Sequence, residues 1–318
     1  MIHTSVRPAY PEQRSRGRTL KLILPWIPRL IILVVVTYFG ILFLMGGLNR
    51  ARAWFTAPVV LPGLGIVMLV FTCLYALVRR RVNKNILLTG CLCILFLPLA
   101  IMPRLGLAYP ASITSTRPSA TVRLPANVPL KVMWGGDTRD INYHVISFNE
   151  RWAYDFVVSP YFNGSPRLDD YGCYGVPVVA PTAGTIVSAL DGEPDEMPGT
   201  VVIKTIMQEG NHIDLRIDEI GTYLVIAHLK QGSFRVAVGD TVEEGQVIAQ
   251  CGNSGQTSEP HIHIHHQRED PNLTPPGLAE GLPLYFRDQT GAMMPLGGNQ
   301  IKNGNVIWTG ATVQHTGK

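Results

Sequence analysis

Three apolar stretches in the first third of the chain constrain its fold more than any other feature. Leu30–Leu48, Ala57–Val78 and Ile86–Met102 contain 19, 22 and 17 residues without a charged side chain. A helix needs about 20 apolar residues to cross a hydrocarbon core of about 30 Å, so these stretches predict three transmembrane helices. A cleavable signal peptide does not explain the first stretch, because the run is long and two others follow it.

Two clusters of basic residues predict the orientation of these helices in a membrane. Six bases precede the first stretch and four separate the second from the third: Arg7, Arg14, Arg16, Arg18, Lys21 and Arg29, then Arg79, Arg80, Arg81 and Lys84. Only Arg50 and Arg52 separate the first stretch from the second. Because basic residues concentrate in cytoplasmic loops, we expect a multi-pass protein with a cytoplasmic N-terminus. With three crossings the C-terminal part is extracytoplasmic, whereas with two it would be cytoplasmic.

Charge divides the chain near the same place. Residues 1–109 carry thirteen Lys and Arg and a single acid, Glu12, whereas residues 110–318 carry fourteen bases and 22 acids. The basic pI of 8.8 therefore reflects the apolar region and does not indicate a nucleic-acid partner. We predict a membrane region at 1–109 that contacts the lipid bilayer, and a linker at 110–129 that is rich in Pro, Ser, Thr and Ala. A folded domain is predicted at 130–318.

The sequence of the predicted domain has the pattern that is typical of an all-β protein. Short apolar runs rich in β-branched residues alternate with Gly, Pro and Asp, and no long run carries a convincing helical stripe. The clearest runs are Val176–Ala180, Gly184–Ala189, Thr200–Ile206, Tyr223–His228 and Gln246–Gln250. The fold class predicted is therefore an all-β extracytoplasmic domain preceded by an α-helical transmembrane region.

Histidine alternates with isoleucine in the segment Pro260–His265. On a strand, alternation puts His261, His263 and His265 on one face and the isoleucines on the other. Three histidines fill a core poorly, because each ring brings nitrogens that need partners. Residues two apart on a strand are about 7 Å apart, so one imidazole can bind a metal ion while its neighbour reaches a water or substrate on that ion. The pattern predicts a metal site.

Other candidate ligands are weak signals when taken one by one. Asp155 lies in the apolar run Trp152–Val158, where a carboxylate needs a partner, although a strand-end residue capping a turn has the same appearance. His228 follows the run Tyr223–Ala227, where a hydrogen-bonded core histidine is the plainer interpretation. A catalytic zinc site needs three protein ligands and one open position. The candidates are His144, Asp155, His228, His261, His263 and His265.

Several short blocks follow one another in a specific order between about Asn142 and His265. They are Gly175–Pro181, Gly184–Val187, Ala227–Leu229, Val238–Val242 with Gly245-Gln246, Gly252–Gly255 and Pro260–His263. In this order the C-terminal part resembles the lysostaphin-type (LytM-like) zinc metalloendopeptidases, which cut peptide bonds in bacterial cell-wall peptidoglycan. The blocks extend over more than 100 residues, which makes the resemblance specific.

The resemblance implies a compact domain of the duplicated hybrid motif, barrel-sandwich-like type, with a metal in a groove. It implies Zn²⁺ as the cofactor and the peptide part of peptidoglycan as the substrate. Asp155 and His263 would be zinc ligands, and His228 and His261 would be the catalytic histidines that flank the attacking water. Either imidazole could take a proton from that water or donate to the oxyanion, and the sequence does not distinguish them.

The chain departs from the family pattern at the first ligand. The family's usual first ligand is a histidine four residues before the aspartate, and Arg151 occupies that place. The nearest histidine upstream is His144, 11 residues before Asp155, and we assign it as the third ligand. The competing interpretation is a degenerate site, which would make the domain a wall-binding or regulatory module without catalysis.

Four further features allow more than one interpretation. Ser159–Cys173 lengthens the connection after Asp155 and could line the groove. His265 could support the ligands or contact substrate. Cys173 and Cys251 could form a disulfide outside the cytoplasm, although two cysteines alone do not prove one. A biotinyl-type carrier domain is the third interpretation of the fold, but no lysine occupies the tip of the Gly239–Gly245 turn.

Overall fold

The computed structural model describes residues 26–199, 208–275, 278–303 and 305–317. The chain divides into two compact units, one ending at Leu107 and the other beginning at Ala108. The basic residues before Trp26, which carry part of the orientation prediction, lie outside the described residues. The predicted strand run Thr200–Ile206 lies outside them as well.

The first unit consists of apolar helices. They are α1 (Ile27–Met45), α2 (Gly47–Arg79) and α3 (Lys84–Ile94), with a 3-10 helix at Leu97–Leu105. Ile27–Met45, Gly47–Arg79 and the combined segment Lys84–Leu105 are each long and apolar enough to cross a membrane. The first unit is therefore compatible with a membrane anchor.

The connection between the first two helices is shorter than the sequence predicted. The single residue Gly46 separates α1 from α2, and its φ of 74° is readily adopted by glycine because no Cβ clashes with the backbone. Arg50, predicted to lie in a loop, is therefore in the first turn of α2 and donates from Nε to the Phe43 carbonyl at 3.1 Å. That carbonyl is in the last turn of α1, where backbone acceptors lack helical partners.

The second unit is built from β-strands joined by loops. The described strands are β1 (Ala120–Val122), β2 (Leu130–Trp134), β3 (Tyr154–Val157), β4 (Pro177–Val179), β5 (Gly184–Leu190), β6 (His212–Ile217), β7 (Thr222–Ala227), β8 (Thr241–Val242), β9 (Val247–Gln250), β10 (Ile262–Gln267), β11 (Leu284–Phe286), β12 (Asn299–Lys302), β13 (Asn305–Trp308) and β14 (Thr312–Val313). Eight of them form an antiparallel sheet in the order β14-β2-β3-β10-β7-β6-β5-β8. The pairs β1–β11, β4–β9 and β12–β13 form three small sheets.

The large sheet is open rather than closed. Within the described residues it ends at β14 on one side and β8 on the other, and the strands do not form a closed barrel. The mostly antiparallel β fold is as predicted, but the barrel-sandwich-like form implied by the resemblance is not confirmed. The predicted linker also contains β1, whose Ala120 and Val122 are buried in the core. Part of that segment therefore packs within the folded unit.

The core lies against one face of the large sheet. Ile262 and Ile264 in β10 are fully buried and stand opposite Phe156 and Tyr154 of β3. Burying one such isoleucine side chain stabilises the fold by about 1.5–3 kcal/mol, an upper value since unfolded chains already bury some apolar surface. Because side chains alternate along a strand, this packing directs His263 and His265 to the opposite face.

A candidate metal centre

Strand pairing positions two of the predicted site residues directly opposite each other. β10 lies between β3 and β7, and His263 is paired with Asp155 on one side and with Ala227 on the other. Paired residues on adjacent strands project from the same face of the sheet. His263 Nδ1 accordingly lies 2.8 Å from Asp155 Oδ1. His228 directly follows the end of β7, so it reaches the same region.

His144 reaches the site from a 3-10 helix, Tyr143–Ile146. The buried side chain of Asn142 caps this helix by accepting from the His144 backbone N–H at 3.1 Å. The Asn142 amide also donates to the carbonyls of Gly136 and Ala153, at 2.9 and 3.1 Å. These bonds fix the turn beside β3, and His144 Nε2 lies 3.0 Å from Asp155 Oδ2.

His144, Asp155 and His263 form a compact cluster whose ligand atoms all lie within 4.8 Å of one another. Their exposed fractions are 2%, 2% and 4%. Two imidazoles and a carboxylate are a donor set found in catalytic zinc sites. A buried carboxylate that receives nitrogens on both oxygens also requires positive charge nearby, as protons or as a metal ion. The residues present therefore fit a zinc ion.

The electrostatics of the cluster follow from this packing. Burial alone would lower the pKa of His144, but the carboxylates of Asp155 and Glu150 outweigh it and raise this pKa to about 10. Burial raises the pKa of Asp155, and the surrounding imidazoles reverse the effect and hold it well below its usual range. A metal ion that binds here must displace the proton on His144 Nε2, the nitrogen that faces Asp155.

His228 and His261 form a second pair of imidazoles beside the cluster, with ring centroids 4.6 Å apart. The Nδ1–H of His228 donates to the Ser254 carbonyl at 2.9 Å, and that of His261 donates to the Glu259 carbonyl at 2.8 Å. A neutral imidazole bound in this way keeps its lone pair on Nε2. Burial, followed by the charge of a neighbouring imidazole, lowers the pKa of His228. Burial also lowers the pKa of His261.

The backbone of His228 is held in an uncommon conformation. Its φ is 58°, in the left-handed region that non-glycine residues rarely adopt. Backbone hydrogen bonds hold it there, from its N–H to the Glu209 carbonyl at 3.0 Å and from the Gly252 N–H to its own carbonyl at 3.1 Å. Such strain costs about 1–3 kcal/mol and is concentrated at functional sites.

Arg151 occupies the expected ligand position, but its side chain contacts residues outside the cluster. Its Nε donates to the Tyr109 carbonyl at 2.9 Å, and its Nη2 lies 3.0 Å from Asp137 Oδ1. The guanidinium also lies over the Trp152 ring, 5.1 Å from the centroid. Arg151 therefore links the start of the second unit to the loop before β3.

Two residues that were not predicted from the sequence contact histidines of the site. Glu150 Oε2 lies 3.3 Å from His144 Nδ1, and Gln267 Oε1 lies 3.1 Å from His265 Nε2. His265 in turn lies 2.9 Å from His263, between its Nδ1 and the His263 Nε2. Gln267 could have been predicted, because it is the next residue after His261, His263 and His265 on the same face of the strand. No comparable pattern singles out Glu150.

The inserted segment Ser159–Cys173 lies beside the imidazole pair. The backbone N–H of Phe162 donates to Glu259 Oε2 at 2.8 Å, and the Glu259 carbonyl holds His261. The Phe162 ring stacks on Trp308 with centroids 4.8 Å apart. The segment is joined to the end of β9 by a disulfide between Cys173 and Cys251, the pairing that the sequence left open.

The burial of the Glu259 carboxyl makes the stability of the second unit depend on pH. Burial raises the pKa of Glu259 to about 7, although the hydrogen bond from Phe162 opposes this. An acid with a raised folded pKa stabilises the fold most below its unfolded pKa, and this contribution is lost as the pH rises through about 7. We expect Glu259→Gln to melt above the wild type at pH 8, by about 2–4 °C for each kcal/mol gained, and to match it near pH 4.5.

Thermal melting of the second unit, followed by tryptophan fluorescence in the full chain, measures this difference. Glu219→Gln removes the same charge at an exposed position and serves as the control. An equal difference between the Glu259 variant and the wild type at both pH values would contradict the prediction.

Comparison with known protein families matches residues 169–275 to peptidase family M23. This segment contains His228, His261, His263 and His265, whereas His144 and Asp155 precede it. The chain thus carries a peptidase family M23 domain, and the lysostaphin-type family predicted from the sequence is confirmed. The Gly239–Gly245 turn lies inside the matched segment, so the carrier-domain interpretation is not supported. A search of curated proteins found no match.

Solved structures with detectable similarity include peptidases of this type. The solution structure of lysostaphin is 21% identical over 48% of this chain and 47% of that chain, with a TM-score of 0.31. The catalytic domain of lysostaphin from Staphylococcus simulans is 22% identical over 47% of this chain and 84% of that domain, at a TM-score of 0.28. A zinc-containing peptidase from Vibrio cholerae is 19% identical over 46% and 37% of the two chains, at a TM-score of 0.28. The match spans about half the length of lysostaphin.

Proposed function

We propose that this protein is a membrane-anchored zinc metalloendopeptidase that hydrolyses peptide bonds of cell-wall peptidoglycan. The observation that carries the proposal is the convergence of His144, Asp155 and His263 to within 4.8 Å, on a chain with a peptidase family M23 domain. These three residues would hold the zinc ion. Zinc in such a site acts as a Lewis acid, which polarises a carbonyl and lets a water lose its proton near neutral pH.

The chemistry of the chain's own residues is proton transfer at His228 and His261. Both imidazoles are neutral near pH 7 because their pKa values are lowered, and both donate the Nδ1 proton to a carbonyl, which leaves the lone pair on Nε2 to accept a proton. The imidazole that receives the proton becomes a cation, and this charge can stabilise an oxyanion or protonate the leaving amine. The backbone carbonyls of Ser254 and Glu259 hold the two rings in place throughout.

The membrane part of the proposal depends on the three apolar helices. We infer that they anchor the chain in the bacterial cell membrane, with the N-terminus in the cytoplasm and the second unit outside. The bases that follow α2, Arg80 and Arg81, support this orientation under the positive-inside rule. In that position the second unit faces the peptidoglycan.

The direct test is the release of peptide fragments from peptidoglycan. Full-length protein in detergent, loaded with zinc, is incubated with insoluble peptidoglycan of several peptide compositions, and released muropeptides are identified by mass spectrometry. We expect new amino termini that are missing with chelator-treated protein. If zinc-loaded protein released none from any wall, the remaining candidate would be a wall-binding or regulatory module.

Replacing His144 tests the third ligand. We expect His144→Ala to weaken zinc binding by at least about 100-fold, beyond the loss typical of a residue outside the ligand set. Competition with a chromogenic chelator measures the affinity. His212→Ala is the control, since His212 bonds the Gly210 carbonyl and belongs to no part of the cluster. Unchanged zinc affinity in the His144 variant would assign the third ligand to another residue.

A further inference from the structure

The two candidate imidazole ligands are each held by a separate hydrogen-bond arm on the side away from the shared carboxylate. On one side, Glu150 Oε2 lies 3.3 Å from His144 Nδ1. On the other, His263 Nε2 lies 2.9 Å from His265 Nδ1, and His265 Nε2 lies 3.1 Å from Gln267 Oε1. Glu150 retains some solvent exposure, whereas the His265–Gln267 arm is buried.

In the longer arm, which runs from His263 through His265 to Gln267, the side chain of Gln267 sets the direction of the hydrogen bonds. The Gln267 side-chain amide donates from Nε2 to the Glu269 carbonyl at 2.8 Å, which turns Oε1 toward His265. Because Oε1 can only accept, the proton of His265 must be on Nε2, and its Nδ1 is a lone pair. His263 therefore donates from Nε2. In its neutral form it then presents the lone pair of Nδ1 to Asp155 Oδ1, 2.8 Å away.

Two acceptors that face each other at this distance require a cation between or beside them. The same logic applies to His144, because a carboxylate can only accept and Glu150 thus keeps a proton on Nδ1. The nitrogen of His144 that faces Asp155 is then the one that a metal would use. Both arms prepare the tautomer that presents a lone pair to the centre of the cluster.

We propose that Glu150 and His265, with Gln267 behind it, are positioning residues that hold His144 and His263 in the metal-binding tautomer. This inference rests on the proposed function, since it concerns the same zinc ion. Partners of this kind outside the ligand set change metal affinity by about 10–100-fold when removed.

A second metal ion is the competing use of the same atoms. Glu150, His263 and His265 also bring ligand atoms within 4.8 Å of one another. Both sites would share His263, which would have to bind one ion at each nitrogen although a neutral imidazole has only one free lone pair. The hydrogen bond between His263 and His265 would also be lost. The arrangement therefore favours one ion and two supporting arms.

Zinc affinity and stoichiometry of the full chain in detergent test the proposal without relying on activity. The protein is stripped of metal and titrated with Zn²⁺ against a chromogenic chelator. We expect about one ion per wild-type chain, and binding about 10–100-fold weaker in Glu150→Ala and in His265→Ala. Glu150→Gln and His265→Asn retain an oxygen acceptor and should recover most of the affinity. This recovery separates a positioning role from a general loss of packing.

His266→Ala is the matched control, because His266 is buried in the same strand but faces the other way, toward Thr222 and the Pro283 carbonyl. We expect its zinc affinity to equal that of the wild type. Wild-type affinity in both alanine variants would overturn the proposal and leave the proposed function standing. Two ions per wild-type chain, with one lost in His265→Ala, would overturn the proposal. They would show that Glu150, His263 and His265 bind a second metal ion. A wild-type chain that bound no zinc would instead overturn the proposed function.

Discussion

The His263→Ala variant is expected to lose zinc binding and peptide hydrolysis together. His263 lies at the centre of the sheet, paired with Asp155 and Ala227, and its Nδ1 is one of the three atoms that we propose as zinc ligands. Alanine leaves one imidazole and one carboxylate, whereas zinc sites of this kind use three protein ligands. Without the ion, no group in the cluster can make a water acidic enough to react near neutral pH.

Metal analysis and muropeptide release, performed on the same preparation, measure both losses. We expect the zinc content to fall from about one ion per chain to near zero, and product release to fall to the level of chelator-treated wild type. His266→Ala controls for removing a buried imidazole from β10. Retained hydrolysis in a His263 variant without zinc would show that the chemistry belongs to other residues. Retained zinc would show that the ion binds elsewhere.

The parts of the site that the residues alone predicted are those with a local periodic signal, whereas the assignments of His144, Asp155 and His228 depended on the family resemblance. Alternation alone placed His263 and His265 on one face and Ile262 and Ile264 on the other, because a strand has a period of two. The lengths of the apolar stretches predicted three apolar helices in the same way, although the second helix, Gly47–Arg79, begins ten residues before the predicted stretch Ala57–Val78. Local patterns of this kind are independent of how distant segments pair.

Features that depend on strand pairing or on the conformation of a single turn could not be predicted from the sequence. The register that sets Asp155 opposite His263 joins strands 108 residues apart, and no local pattern specifies it. The approach of His144 depends on the Asn142 cap, and the different use of Arg151 depends on a carbonyl 42 residues upstream. The single-residue connection between α1 and α2 depends on the backbone conformation of Gly46. In each case a tertiary contact or a single backbone conformation decides between local alternatives.

Removing the disulfide between Cys173 and Cys251 is expected to destabilise the second unit strongly. The two residues are 78 positions apart, and both are fully buried or nearly so. In the chain-entropy model, removing a cross-link that closes a loop of this length costs about 4.5 kcal/mol of stability. The bond also anchors the region beside the imidazole pair, since the Cys251 N–H donates to the Val176 carbonyl and the next residue, Gly252, donates to His228.

Urea unfolding of the full chain, with and without reductant, measures this contribution. We expect Cys173→Ala/Cys251→Ala, and the reduced wild type, to unfold at clearly lower urea concentration and to lose hydrolysis before global unfolding. Cys73→Ala is the control, because Cys73 is an exposed free thiol in α2. Thiol titration of the unfolded, unreduced protein should give three thiols, those of Cys73, Cys91 and Cys93. Five thiols in protein isolated from membranes would contradict the bond. They would also count against an extracytoplasmic second unit, because a buried pair this close is expected to oxidise outside the cytoplasm.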